Sequence, residues 1–310
     1  MKLSYTHVNS FVEVQERRPT FLAIGSFDGI HLGHQKLLHS MVKAAKTVDA
    51  RTAVITFFPH PKRLLLNLQG PYYISTIQQR VETLANQGID LIITQPFDDS
   101  IRLTRAVDFM EQLCQNLDLK QLWGGDFALG YKREGDVPTL RKIGEEKGYT
   151  VELVDTLVEW EGDRVSSSRI RRSLVNGEIE EVNGCLGRPY TVRGEVTMGD
   201  QRGRTIGFPT ANLKVWPEQL LPANGVYATY AHVRGKTYTA ATNIGIRPTI
   251  ENNRLTIEAH LLDFDADLYD QTIELTFISR IRPEQKFSGL DALKAQIQVD
   301  IDAIRAKLIP

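Results

Sequence analysis

Phe21-Leu22-Ala23-Ile24 runs directly into Gly25-Ser26-Phe27-Asp28-Gly29-Ile30-His31-Leu32-Gly33-His34. The apolar run reads as a strand, the glycine-punctuated stretch as a turn, and the two histidines as the first turn of a helix. A helix start leaves backbone N–H groups unpaired and carries partial positive charge, so it attracts phosphate. His31 and His34, three apart, are expected on one helix face, where imidazoles hydrogen-bond phosphate oxygens as charge builds during transfer. A histidine pair also suits a metal, but no carboxylate or cysteine partner has matching spacing.

Outward from this stretch, short apolar runs alternate with helical spacing. Residues 21–24, 52–58, 90–94, 121–124 and 151–157 read as strands, and 35–46, 76–86 and 106–116 as helices. Such alternation predicts a parallel sheet covered on both faces, with ligands at the carboxyl ends of its strands. Gly124-Gly125-Asp126-Phe127-Ala128-Leu129-Gly130 follows a strand and is expected at the same edge. Val165-Ser166-Ser167-Ser168-Arg169-Ile170-Arg171 offers hydroxyls and fixed cationic donors for phosphate, although Arg164, Arg169, Arg171 and Arg172 equally suit a solvated helix face. Phe58-Pro59-His60-Pro61 ends the second strand, and its histidine between prolines also reads as a rigid turn.

From Val192 to Ile281 the pattern changes to period-two alternation. Residues 226–233, 237–244, 255–264 and 272–278 read as strands, and four to six of them predict a small antiparallel barrel. Ser288 is expected to open a final helix carrying Leu290, Leu293, Ile297, Ile301, Ile304 and Leu308 as an apolar stripe, with Asp291 completing a capping box. A helix over 169–182 precedes a boundary near 184–188, so the domains are expected at 1–184 and 185–310. The 310 residues suffice for two cores, and a net charge of −1 gives no global pull toward nucleic acid or membrane. Two distant cysteines, no apolar leader in residues 1–14 and no long apolar run predict a cytoplasmic protein without disulfides or membrane spans. Oligomeric state is not readable from the chain.

Gly194 to Asn212 carries Gly199, Gly203 and Gly207 at intervals of four, then Pro209-Thr210-Ala211-Asn212. Closely spaced glycines let backbone N–H groups approach phosphate, and Thr210 and Asn212 offer a hydroxyl and an amide suited to Mg²⁺ or phosphate. The same spacing also suits an ordinary barrel loop. Gly235-Lys236-Thr237 is not a Walker A loop, because Tyr230 occupies the required upstream glycine position.

The Gly-x-Phe-Asp-Gly-x-His-x-Gly-His stretch with Ser-Ser-x-Arg-Ile-Arg resembles the nucleotidyltransferase superfamily related to class I aminoacyl-tRNA synthetases. Within it, the match is to the adenylyltransferase module of the bacterial bifunctional riboflavin kinase/FAD synthetase family. From about Gly187 the chain resembles riboflavin kinase, through Gly207–Asn212, Gly225-Val226-Tyr227, Asn243-Ile244-Gly245, Pro248-Thr249 and Asp267-Leu268-Tyr269. The resemblance implies a Rossmann-like nucleotidyltransferase domain followed by a riboflavin kinase-like barrel with a terminal helix. It implies ATP contacts from Gly25, Ser26, Phe27, Asp28, Gly29, His31 and His34, and from a mobile phosphate-binding segment, Ser166, Ser167, Ser168, Arg169 and Arg171. His31, His34 and Arg169 are implied to be catalytic, and His60, Asp126 and Phe127 to face flavin. In the second half it implies Gly199, Gly203, Arg204, Thr205, Gly207, Thr210 and Asn212 around the ATP phosphates, Mg²⁺ on Thr210 and Asn212, and Glu258 as general base. Val165, Ser168 and Leu129 depart from the family's common isoleucine, threonine and phenylalanine. The implied reactions are phosphorylation of riboflavin to FMN, then attack of FMN phosphate on the α-phosphorus of ATP, giving FAD and pyrophosphate. A single-activity adenylyl- or cytidylyltransferase and a flavin- or nucleotide-responsive regulator are the alternatives. Gly207–Asn212 and Glu258 speak against the first, and the lack of a DNA-reading motif against the second.

Overall fold

The computed structural model describes residues 5–199, 202–248 and 253–308, so Asp200, Thr249 and the first four residues lie outside the description. Two compact units result: Met1–Gln69 with Thr76–Ser166, and Gly70–Ser75 with Ser167–Pro310.

In the first unit β1 (Thr6–Val8), β2 (Thr20–Gly25), β3 (Arg51–Phe58), β4 (Leu91–Pro96), β5 (Leu119–Gly124) and β6 (Thr150–Leu153) form one sheet. The order is β1-β4-β3-β2-β5-β6 and every pairing is parallel. Around it lie α1 (Leu32–Thr47), α2 (Pro61–Leu65), α3 (Ile77–Asn86), α4 (Asp99–Leu103), α5 (Ala106–Leu117) and α6 (Val137–Lys147). The strands read as continuous apolar runs because both of their faces are covered. Leu22 and Ile55 pack with Phe109, Met110 and Leu140 from α5 and α6. Phe21, Ala23 and Val54, of opposite parity, pack with Leu38, Met41 and Leu84 from α1 and α3. Each of the larger of these side chains contributes about 1.5–3 kcal/mol when fully buried. The strand expected over 151–157 stops at Leu153, and β1 and α6 carry no counterpart in the sequence reading. A small hairpin, β7 (Glu159–Trp160) and β8 (Asp163–Arg164), closes the unit.

The second unit opens with α7 (Ser167–Asn176) and α8 (Ile179–Leu186). These replace the single helix expected over 169–182. Gly177 separates them with φ at 76°, the left-handed backbone that ends helices and that glycine adopts without strain. Then β9 (Tyr190–Thr197), β10 (Ala211–Val215), β11 (Gly225–Val233), β12 (Lys236–Pro248), β13 (Asn253–Leu261) and β14 (Thr272–Pro283) form a closed barrel. Its pairings are all antiparallel, β10-β13-β12-β11-β14-β9 and back to β10. A short α9 (Arg202–Thr205) joins β9 to β10, and α10 (Leu290–Leu308) ends the chain.

Of the apolar stripe on α10, Ile301, Ile304 and Leu308 are buried against Ala228 and Leu262, whereas Leu290 is 64% exposed. Arg282 on β14 grips the buried Asp300 of α10 with both carboxylate oxygens, at 2.8–3.0 Å, so a charge-assisted fork fixes the helix in register. The segment 70–75 belongs to this unit through its own bonds. Tyr72 and Tyr73 N–H donate to Glu218 O, Leu220 N–H donates to Tyr73 O, and the fully buried Tyr73 ring lies 4.9 Å from Trp216.

Candidate active sites

Strand order in the sheet reverses between β2 and β5. Ligands in open parallel sheets bind in the crevice outside the carboxyl ends at such a switch point. Here those ends are Gly25 and Gly124, so the histidine turn and the Gly124–Gly130 loop share one edge, as the sequence reading expects. Both segments close on Thr156. A Cβ at Gly33 would stand 2.7 Å from Thr156 O, and one at Gly125 2.5 Å from its Oγ1. Thr156 had no sequence signal.

His31 does not share the helix face with His34 but precedes it as the cap of α1. Its Nδ1 accepts the His34 N–H at 3.4 Å. The two imidazoles nevertheless come together, stacked with centroids 3.8 Å apart and planes 15° apart. His34 Nδ1 is buried without a hydrogen-bond partner among the described residues. Burial first, then the neighbouring His31 and Arg80, hold the His34 imidazole well below its ordinary value of 6.5. His34 is therefore neutral near pH 7, and its ring offers hydrogen bonds without a full charge.

Within the turn, Ser26 O accepts from Thr56 Oγ1 at 2.7 Å, and Asp28 is turned inward to Arg80. Arg169, Arg171 and Ser167–Ser168 stand on α7 in the second unit, while Ser166 is the last residue of the first. Arg169 is buried, with Nε 2.5 Å from Glu181 Oε1 on α8. Arg171 donates from Nε to Tyr72 O at 2.9 Å and lies 4.0 Å over that ring. Of the residues expected near flavin, His60 caps α2 by accepting Lys62 N–H at 3.1 Å. Asp126 is exposed, and its carboxylate accepts the Phe127 N–H at 2.8 Å. Phe127 is a core residue, its ring filling the space above Gly124.

In the barrel, Glu258 on β13 stands opposite Asn212 on β10 and opposite Asn243 on β12. Directly opposed residues project to one face, so a carboxylate lies between two amides. Thr210 Oγ1 donates to Glu258 Oε2 at 3.4 Å. His260, which alternation alone assigns to solvent, donates from Nδ1 to Pro209 O at 2.7 Å and so holds the loop that carries Thr210. Asn212 lies across Gly199, where a Cβ would stand 2.4 Å from its side-chain nitrogen and 2.6 Å from its oxygen. A cavity of about 450 Å³ opens beside Thr210, lined also by Arg204, Phe264, Asp267 and Tyr269. A larger one, about 790 Å³, opens at the amino-terminal edge of the parallel sheet and includes none of the expected site residues.

Among the described residues no cluster of three or more His, Cys, Asp or Glu side chains forms a protein-only metal cage. Thr210, Asn212 and Glu258 instead present hard oxygens side by side. That set fits Mg²⁺, which usually takes one or two protein oxygens together with substrate phosphates.

A doubly wound sheet with a histidine pair at its switch point, followed by a closed barrel with a carboxylate between two amides, defines a two-site nucleotide-handling protein. The family pattern for FAD synthetase matches residues 13–169, and that for riboflavin kinase matches 186–308. The bifunctional riboflavin kinase/FMN adenylyltransferase of Listeria monocytogenes is 36% identical over 288 residues, 92% of this chain and 91% of its own. That of Escherichia coli K12 is 37% identical over 282 residues, 90% of each chain. A Streptococcus pneumoniae crystal structure described as a macrolide-efflux protein superposes with a TM-score of 0.87 at 28% identity, covering 97% of this chain and 98% of that one. Among the described residues, no helix is long and apolar enough to cross a membrane. The chain belongs to the bifunctional riboflavin kinase/FMN adenylyltransferase family.

Proposed function

We propose that this chain phosphorylates riboflavin to FMN in its barrel, residues 185–310, and adenylylates FMN to FAD in residues 1–184. The observation that carries the reading is the pairing, in one chain, of the His31–His34 stack at the β2/β5 crevice with Glu258 in register between Asn212 and Asn243.

In the adenylyltransferase, the turn Gly25–Gly29 and the N-terminus of α1 receive the ATP phosphates. His31 and His34 donate to oxygens whose charge grows as pyrophosphate leaves. A phosphate oxygen of FMN attacks the α-phosphorus in line, its bond forming as the bond to the bridging oxygen of pyrophosphate breaks. Positioning and charge stabilisation suffice for such a transfer, and no protein nucleophile takes part. His60 and Asp126 face the flavin, and Phe127 fixes the loop that presents Asp126.

In the kinase, Gly199, Gly203, Arg204, Thr205 and Gly207 surround the ATP phosphates. Thr210 and Asn212 would hold Mg²⁺, which neutralises phosphate charge when bound. Glu258 accepts the proton of the riboflavin 5′-hydroxyl as its oxygen attacks the γ-phosphorus, and the bond from that phosphorus to the bridging oxygen breaks to release ADP. Neither cysteine of the chain, Cys114 or Cys185, is in a disulfide, which suits a cytoplasmic setting.

The test is a time course with purified protein, riboflavin, ATP and Mg²⁺. FMN appearing first and FAD later supports the proposal. FMN alone, or no turnover, overturns it.

A further inference from the structure

The turn that presents His31 and His34 is not in a relaxed backbone conformation. Phe27 and Ile30 both have φ at 44°, and Gly29 has φ at 84°. A left-handed, β-branched Ile30 persists only where its surroundings over-determine it. Part of that constraint is apolar, since Phe27 and Ile30 are 2% and 1% exposed. The rest is ionic and comes from a distant element.

Arg80, on α3, is fully buried, and its Nη2 lies 3.3 Å from Oδ1 of Asp28, which is 1% exposed. Its Nη1 donates to Thr56 Oγ1 at 3.0 Å and to Phe57 O at 3.4 Å, at the carboxyl end of β3. Thr56 Oγ1 passes the connection on by donating to Ser26 O at 2.7 Å. One guanidinium therefore grips the turn on both flanks, at Ser26 through Thr56 and at Asp28 directly. Its planar fork serves these divergent partners together, which the single ammonium of lysine does not. A buried ion pair is a weak source of net stability, because desolvation offsets most of its Coulombic gain. Its placement under the strained turn is the more specific feature.

We propose that Arg80 is a positioning residue for adenylyl transfer, locking through Asp28 and Thr56 the turn that aims His31 and His34 at the ATP phosphates. This rests on the adenylyltransferase reading above. Arg80 acts on the turn through Asp28 and Thr56, so its effect is expected in turnover rather than in ground-state ATP binding.

The experiment uses the full chain and measures kcat and the KM for ATP in FAD formation from supplied FMN. Riboflavin phosphorylation and the thermal melt of the same samples report folding. Arg80→Met is expected to lower kcat for FAD formation about 100-fold, the scale of a misplacement of about 1 Å. The KM for ATP stays within about threefold, and riboflavin phosphorylation is unchanged. Arg80→Lys, which keeps the charge beside Asp28 but not the fork, retains about a tenth of the wild-type kcat. The Asp28→Asn/Arg80→Met double variant loses less than the product of the single losses, because the two residues act as one unit. Should Arg80→Met also lose riboflavin phosphorylation, Arg80→Lys and Asp28→Asn decide by the same kcat criterion. Unchanged kcat in the folded variants, or Arg80→Lys no better than Arg80→Met, overturns the positioning role alone. A wild-type chain that phosphorylates riboflavin but makes no FAD overturns the underlying reading, and the role of Arg80 with it.

Discussion

In the parallel-sheet unit, His31 and His34 stand three residues apart on one turn, whereas in the barrel Asn212, Asn243 and Glu258 come from β10, β12 and β13 and meet only through strand register. The contiguous arrangement is held from beneath, by buried Phe27 and Ile30 and by the Arg80 fork. The dispersed arrangement is held from the side, by ladders that close on themselves. Each therefore has its own weakness. A buried side chain under the turn changes the first site without touching substrate, while a one-residue strand slip would turn Glu258 to the opposite face.

The comparison breaks if damage to one site spreads to the other. The largest expected effect is that of Glu258→Gln, which removes the proposed base and lowers FMN formation by roughly 10²–10⁴-fold. FAD formation from supplied FMN should persist in that variant, read by chromatography of the two flavins. Next comes His31→Ala, expected to lower FAD formation by about 10²–10³-fold with riboflavin phosphorylation intact. Because His31 also caps α1, His31→Asn is the sharper version: asparagine caps well, so its failure to restore turnover separates the imidazole from the cap.

A smaller effect, on stability alone, distinguishes the two ends of α10. Ile304→Ala should cost about 2–5 kcal/mol in denaturant unfolding of the barrel, against under about 0.5 kcal/mol for the exposed Leu290→Ala. The smallest is a pH effect. Because His34 is held well below 6.5 in the folded chain, the unfolded chain takes up its proton first as pH falls. Wild-type stability is then lost progressively below about pH 6.5, and His34→Gln lacks that contribution. The gap between their urea midpoints should shift in favour of His34→Gln from about pH 7 to about pH 5, and a constant gap would show that His34 does not titrate in this way.

Most of the sheet was legible because strands buried on both faces read as uninterrupted apolar runs and their helices as stripes. Three-residue β1 is too short for any period, yet α6 had a readable start in Asp136, whose carboxylate caps Thr139 N–H, and Pro138. Asn176-Gly177 likewise carried a helix-stop signal inside the expected helix over 169–182. The histidine turn was legible as a motif; what supports it was not. Arg80 on an amphipathic helix reads as a solvated charge, and only the packing of α3 on the sheet brings it under Asp28. Glu258 likewise reads as a solvent-facing residue until pairing sets it between two amides.

The six residues Gly70–Ser75 leave one compact unit in mid-chain, join the other, and return. A gene cut after residue 184 would therefore not yield two intact halves. The amino-terminal product would display Tyr73 without Trp216 and Glu218, its partners in ring packing and backbone bonding, as a sticky apolar tag. The carboxyl-terminal product would be missing a wedge from its own interior. For protein engineering, the two activities are thus sewn together by a stitch and not merely joined end to end, and a barrel fragment that carries its own copy of 70–75 fused through a linker is the natural route to a separable barrel.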